Sequence, residues 1–190
     1  DNWPSWRGPT GNGVALNGNP PVTWSETENI KWKIELPGTG SSTPVIWGDK
    51  IFIQIAVPAG EAKPAAPAPT PEPTASGERP RRRRGPRSSP APTHPIKFNL
   101  VCLDRATGEI LWERTAREVI PHEGHHPTGN FAPYSPVTDG ELVWASFGSR
   151  GLHCYDLDGN HKWSTDLIQM QKRMTFGEGS SPTPARKSLA

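Results

Sequence analysis

One pattern recurs along this chain about every 50 residues, and few folds tolerate such a period. Ser42-Thr43-Pro44-Val45 matches Tyr134-Ser135-Pro136-Val137 and, more weakly, Ser180-Ser181-Pro182-Thr183. Leu103-Asp104 precedes Thr107-Gly108 and Trp112, just as Tyr155-Asp156 precedes Asp158-Gly159 and Trp163. Trp112 and Trp163 lie 51 residues apart, Cys102 and Cys154 52, and Pro136 and Pro182 46. Pro44 and Pro136 are 92 apart, which becomes 54 once a 38-residue insertion is set aside.

That insertion, residues 58–95, holds 11 of the 23 prolines and no large apolar residue to anchor a core. Ala-Pro alternation from Pro64 to Pro73 favours an extended, solvated polyproline-like chain. Such a segment buries too little apolar surface to offset its ordering entropy, so it reads as a disordered loop insertion. It carries seven basic residues against three acidic ones, a net +4, whereas the whole chain is +2, leaving −2 elsewhere. The Arg81–Arg84 run suits polyanions. It has no interleaved aromatics for stacking on bases, so it reads first as a solvated linker, and a nucleic-acid partner is not expected.

Outside the insertion, short apolar-polar runs alternate with turn signals. Ile51-Phe52-Ile53-Gln54-Ile55, Phe98 to Leu103, Glu141 to Phe147 and Leu152 to Tyr155 read as strands. Gly48-Asp49, Thr107-Gly108, Asp139-Gly140 and Asp158-Gly159 read as tight turns between them. Four short strands per unit at this period are the signature of a β-propeller blade. The first strand follows the Ser/Thr-Pro, the third ends on the Asp and the fourth carries the Trp. The expected fold is all-β, an incomplete propeller of about two to two and a half four-stranded antiparallel blades. Its parts are an N-terminal extension (1–29), the end of one blade with two strands of the next (30–57), the insertion (58–95), two strands completing that blade (96–118), a second full blade with its leading loop (119–166), and a connection opening a third (167–190).

The run from Cys102 to Trp112 resembles the tryptophan-docking motif of pyrroloquinoline quinone-like propeller repeats, with Cys102 and Glu109 in place of the family's Ala and Lys. The copy from Cys154 to Trp163 is one residue shorter in its turn, and Trp32 looks like the fourth-strand Trp of a preceding blade. The opening Trp3-Pro4-Ser5-Trp6-Arg7-Gly8-Pro9 is similar to the start of exported bacterial proteins of this type. The resemblance implies that Trp32, Trp112 and Trp163 dock between blades while Asp104, Thr107, Gly108, Asp156 and Gly159 shape the turns. It implies export to the periplasm or cell surface. Asp1 leads directly into the Trp3–Trp6 run, a start that would suit a mature, already processed chain, and no apolar run is long enough for a membrane span. At 51 residues per blade the repeat region amounts to about 2.4 blades, too few to close a ring of about four or more. The expectation is a truncated reading frame or a piece of a larger protein whose remaining blades are its first partners.

Several residues look chemical. His122-Glu123-Gly124-His125-His126 matches the His-Glu-x-x-His pattern of zinc proteases, which needs both histidines on one helix face. Pro121, Gly124 and Pro127 argue against a helix, so His122, His125 and His126 stand only as weak metal candidates in a loop. Cys102 and Cys154 occupy equivalent positions in successive units, too far apart for a disulfide, and read as small buried hydrophobes. Phe147-Gly148-Ser149-Arg150-Gly151 fails the nucleophile-elbow spacing because Phe147 stands where the elbow needs glycine; it reads as a hairpin. Asp166 to Met174 has mild helical character. Residues 119–133 and 167–179 connect one unit to the next and decorate one face, the expected surface for a protein or small-molecule ligand.

The sequence thus favours a non-catalytic binding or scaffold propeller with no catalytic residue assigned. The alternative is a piece of a quinoprotein oxidoreductase that uses pyrroloquinoline quinone and calcium on an alcohol or sugar. Only the repeat supports that alternative, because no oxygen-ligand set for calcium is assignable in these units.

Overall fold

The structure is a computed structural model that describes residues 2–60, 89–170 and 177–183. It is all-β, with two four-stranded antiparallel sheets that each follow chain order. The first holds β1 (Val45–Trp47), β2 (Lys50–Pro58), β3 (Ile96–Asp104) and β4 (Ile110–Val119). The second holds β5 (Val137–Thr138), β6 (Leu142–Ser146), β7 (Leu152–Asp156) and β8 (His161–Thr165). A 3-10 turn, Gly148–Arg150, joins β6 to β7 where a plain hairpin is expected.

The two sheets repeat each other in detail. Cys102 pairs with Trp112 and Leu103 with Ile110, so one extra residue bulges from β4 just before the Trp. Cys154 pairs with Trp163 and Tyr155 with His161, which puts the same bulge in β8. A bulge re-aims the side chain beside it, and here that side chain is the indole. In both copies an aspartate side chain caps the turn before it, although the second turn is one residue shorter. Asp104 Oδ1 accepts the N–H groups of Ala106 and Thr107 at 2.8 Å, and Asp156 Oδ1 accepts those of Asp158 and Asn160 at 3.0 and 2.8 Å. The carboxylates add to turns that the backbone also closes, through Gly108 N–H on the Asp104 carbonyl and Gly159 N–H on the Asp156 carbonyl.

Burial explains why the inner strands are apolar on both faces rather than alternating. One core lies between the sheets, where Val45, Phe52, Phe98, Leu100 and Cys102 meet Val143, Ala145, Phe147 and Tyr155. Phe98 and Phe147 meet edge to face at 5.6 Å. On the opposite face of the first sheet Ile51, Ile55, Val101 and Leu103 pack under Trp32, Ile34 and Leu36. The first sheet is therefore the middle layer of three, as continuous apolar strands require. Cys102 and Cys154 are both free and buried in these layers, and burial pushes the Cys102 thiol up to about 12.

The residues before β1 are more than an extension. Trp3 exchanges two 2.8 Å backbone hydrogen bonds with Ile46, and the Thr138 N–H donates to the Pro4 carbonyl at 2.9 Å. The opening segment thus bridges β1 and β5. Pro58, grouped with the insertion on composition, is the last residue of β2 and pairs with Ile96; the Ala59 N–H continues the stem to the Pro95 carbonyl. The Arg81–Arg84 run and most of the insertion lie outside the described residues. Of the segment expected to be helical, Asp166–Met170 is irregular and the rest lies outside the described residues. The backbone of Met170 is engaged elsewhere, its N–H with Ser149 Oγ at 2.7 Å and its carbonyl with His122 Nε2 at 2.9 Å. Among the described residues no helix is long and apolar enough to cross a membrane.

Candidate functional site

Two features connect the sheets: a repeated tryptophan contact on one side and a buried ionic cluster on the connecting loops. The Trp32 Nε1–H donates to the Arg105 carbonyl at 3.0 Å, and the Trp112 Nε1–H donates to the Leu157 carbonyl at 3.1 Å. Each acceptor directly follows the turn aspartate. Each indole also covers a glycine with positive φ, Gly108 (φ 80) under Trp32 and Gly159 (φ 81) under Trp112. A Cβ at either would sit within 2.7 Å of the ring, so glycine is required for contact as well as for conformation. Trp163 stands 43% exposed. Trp47, which the repeat does not single out, lies against Gly140 at the β5–β6 turn.

A second repeated contact runs through the Ser/Thr-Pro segments. The Thr43 N–H donates to Ser135 Oγ and the Ser135 N–H to Ser181 Oγ, both at 2.9 Å. Each lead-in hydroxyl therefore satisfies the backbone of the preceding one, and residues 177–183 extend the series.

The two turn aspartates carry a pH dependence. The Lys162 ammonium, then the Asn160 amide and N–H, hold the Asp156 carboxyl far below its usual 3.8; hydrogen bonds from Thr107 lower Asp104. A carboxyl depressed in the folded state stabilises fully above its unfolded value, and the contribution disappears as pH falls through the folded value. Asp156→Asn should therefore melt lower than wild type at pH 7, with the gap closing as pH drops below 3.8. A gap independent of pH in thermal melts would rule out the carboxylate charge as the source.

The ionic cluster forms where the connection after β4 meets the connection after β8. Glu178 is buried, and both of its oxygens are occupied. Oε2 accepts the Ser149 N–H at 2.6 Å and the Tyr134 hydroxyl at 3.1 Å; Oε1 accepts the Ser149 hydroxyl at 2.6 Å and lies 3.2 Å from Arg150 Nη1. Burial, then the Glu178 charge, raises the Tyr134 hydroxyl far above its usual value, so it remains a donor. Burial lowers His153, whose Nε2 lies 3.0 Å from the Arg150 carbonyl.

Of the three histidines, His122 brings a ring nitrogen toward Glu178, while His125 lines a small cavity with Tyr134, Arg150 and Glu178. The His122 Nε2 lies 3.8 Å from Glu178 Oε1, and a ligand atom from each of His122, Glu123 and Glu178 falls within 4.8 Å of the others. His125 stacks edge to face on Phe131, and His126 Nδ1 meets the Thr128 hydroxyl at 2.8 Å. The segment is not helical, so it does not present the face that the protease motif requires. A metal fits poorly even at His122: its Nε2 meets the Met170 carbonyl, and the Arg150 guanidinium already supplies a counter-charge to Glu178.

Nothing near Glu178 in the chain announces its role, because its partners at 134, 149 and 150 are distant in sequence. One signal exists. Four residues before each repeat proline stand Gly40, Ala132 and Glu178, so a charge occupies a position that is small in the other two copies. No protein-family model matches the chain, and no curated protein matches it.

Proposed function

We propose that the two sheets are successive blades of a tryptophan-docked β-propeller of the pyrroloquinoline quinone-like repeat type. On this reading the chain is a non-catalytic binding or scaffold module, exported to the periplasm or cell surface. Its ligand is taken on the face formed by the connections after β4 and β8. The observation that carries the reading is the repeated lock: the indole N–H of Trp32 on the first turn and that of Trp112 on the second, each on the carbonyl after the turn aspartate. Sheets related by one such step generate a ring when the step is repeated. The convergence of His122, Ser149, Met170 and Glu178 supports the loop face, because it fixes two connections into one surface.

The test separates binding from oxidation. The full chain is incubated with pyrroloquinoline quinone, calcium, an artificial electron acceptor and an alcohol or a sugar. Dye reduction should stay at the protein-free rate. Turnover would replace this reading with the oxidoreductase one.

A further inference from the structure

Beside the Glu178 cluster, on the loop face, lies a cavity of about 190 Å³. Val119, Ile120 and Pro121 form an apolar wall, while Arg117, Arg150 and His122 contribute its charged or basic lining. Among the described residues no carboxylate lines it.

Arg150 is the unusual member. It is only 7% exposed, packs over the Phe98 ring at 5.3 Å, and meets Glu178 Oε1 through Nη1 at 3.2 Å. A guanidinium carries five N–H donors, and Glu178 with the Tyr134 hydroxyl leaves several of them for the cavity that Arg150 lines. Arg117 also meets a carboxylate, Nη1 3.0 Å from Asp166 Oδ1, but as a solvent-exposed pair. Each guanidinium is thus steadied by a carboxylate outside the cavity lining. Planar forks held in this manner suit bidentate recognition of a carboxylate.

We propose that this cavity binds a small organic carboxylate of one-ring size, its charged end on Arg150 and Arg117 and its body on Val119, Ile120 and Pro121. Glu178 and Asp166 offset much of the guanidinium charge. Selectivity therefore comes from hydrogen-bond geometry, and the affinity is modest. The proposal rests on the loop face being the ligand surface and names the ligand class for it.

Benzoate, glucuronate and the neutral isostere benzamide are titrated calorimetrically into the full chain. At least one of the two carboxylates should bind saturably, more weakly as salt rises, and benzamide should give no saturable heat. Arg117→Ala should weaken binding about tenfold, the loss of one charge-assisted hydrogen bond. Arg117 is partly exposed, so thermal melting should show the variant folded. Arg150→Lys, which keeps the charge opposite Glu178 but loses the fork, should also weaken it. Silence from both carboxylates, benzamide binding as well as benzoate, or unchanged affinity in folded Arg117→Ala would each overturn the proposal. None of these results touches the non-catalytic reading, which dye reduction decides separately.

Discussion

Trp112→Ala should lower unfolding free energy by about 3 kcal/mol, and Trp163→Ala by about 1 kcal/mol or less. The two residues share one repeat position, one strand bulge and one residue type. They differ in what covers them. Trp112 packs on Gly159, lies 5.8 Å from the Phe52 ring, donates to the Leu157 carbonyl and is flanked by the Arg114 guanidinium. Trp163 is 43% exposed. For a chain of this size the Trp112 loss corresponds to a fall in Tm of roughly 6–12 °C. Trp112→Phe keeps most of the apolar area and removes the donor, so it should cost about 1 kcal/mol. Equal losses at Trp112 and Trp163 would mean that the indoles act within their own sheets, and the docking account would fall.

The second large effect is expected at Glu178. Glu178→Gln should cost about 3 kcal/mol, because it leaves the buried Arg150 guanidinium without a counter-charge. The amide also places N–H₂ among donors from Ser149, Tyr134 and Arg150. Removing both charges with Glu178→Leu and Arg150→Met should recover more than half of the loss, since neither ion is then left alone. Denaturant melts of the two singles and the double give the coupling. Additive losses would show that the pairing with Arg150 is not what Glu178 contributes.

The strands around Ile51, Phe98, Leu142 and Leu152 are legible because their residue types and flanking turns agree, and the turn aspartates because the pattern recurs. The docking of Trp112 onto the turn of the second sheet follows from the same recurrence. What the sequence hides is contact between segments with no shared pattern. Nothing in Trp3-Pro4 announces that it bridges Ile46 and Thr138, since its partners are backbone atoms. Trp47 covers Gly140 without a counterpart in the second unit, where Asp139 stands at the matching position. On the loop face the histidines drew notice by composition. The residue that organises the surface is a single glutamate, conspicuous only when the three repeat copies are aligned.

The bridge made by the opening segment carries a consequence for the order in which this chain acquires its structure. Apart from β2 and β3, which pair across the insertion, the neighbouring strands within each sheet are joined by short turns and form from local contacts, the fast class of folding event. Trp3 and Pro4 are made well before the groups on Ile46 and Thr138 that they bond. The bridge therefore forms only once Thr138 has been made and β1 and β5 are both available. Until then β1 and β5 keep open edges, an aggregation hazard in a nascent chain. Whatever holds Trp3 and Pro4 elsewhere during synthesis therefore also sets when the two sheets are sealed together.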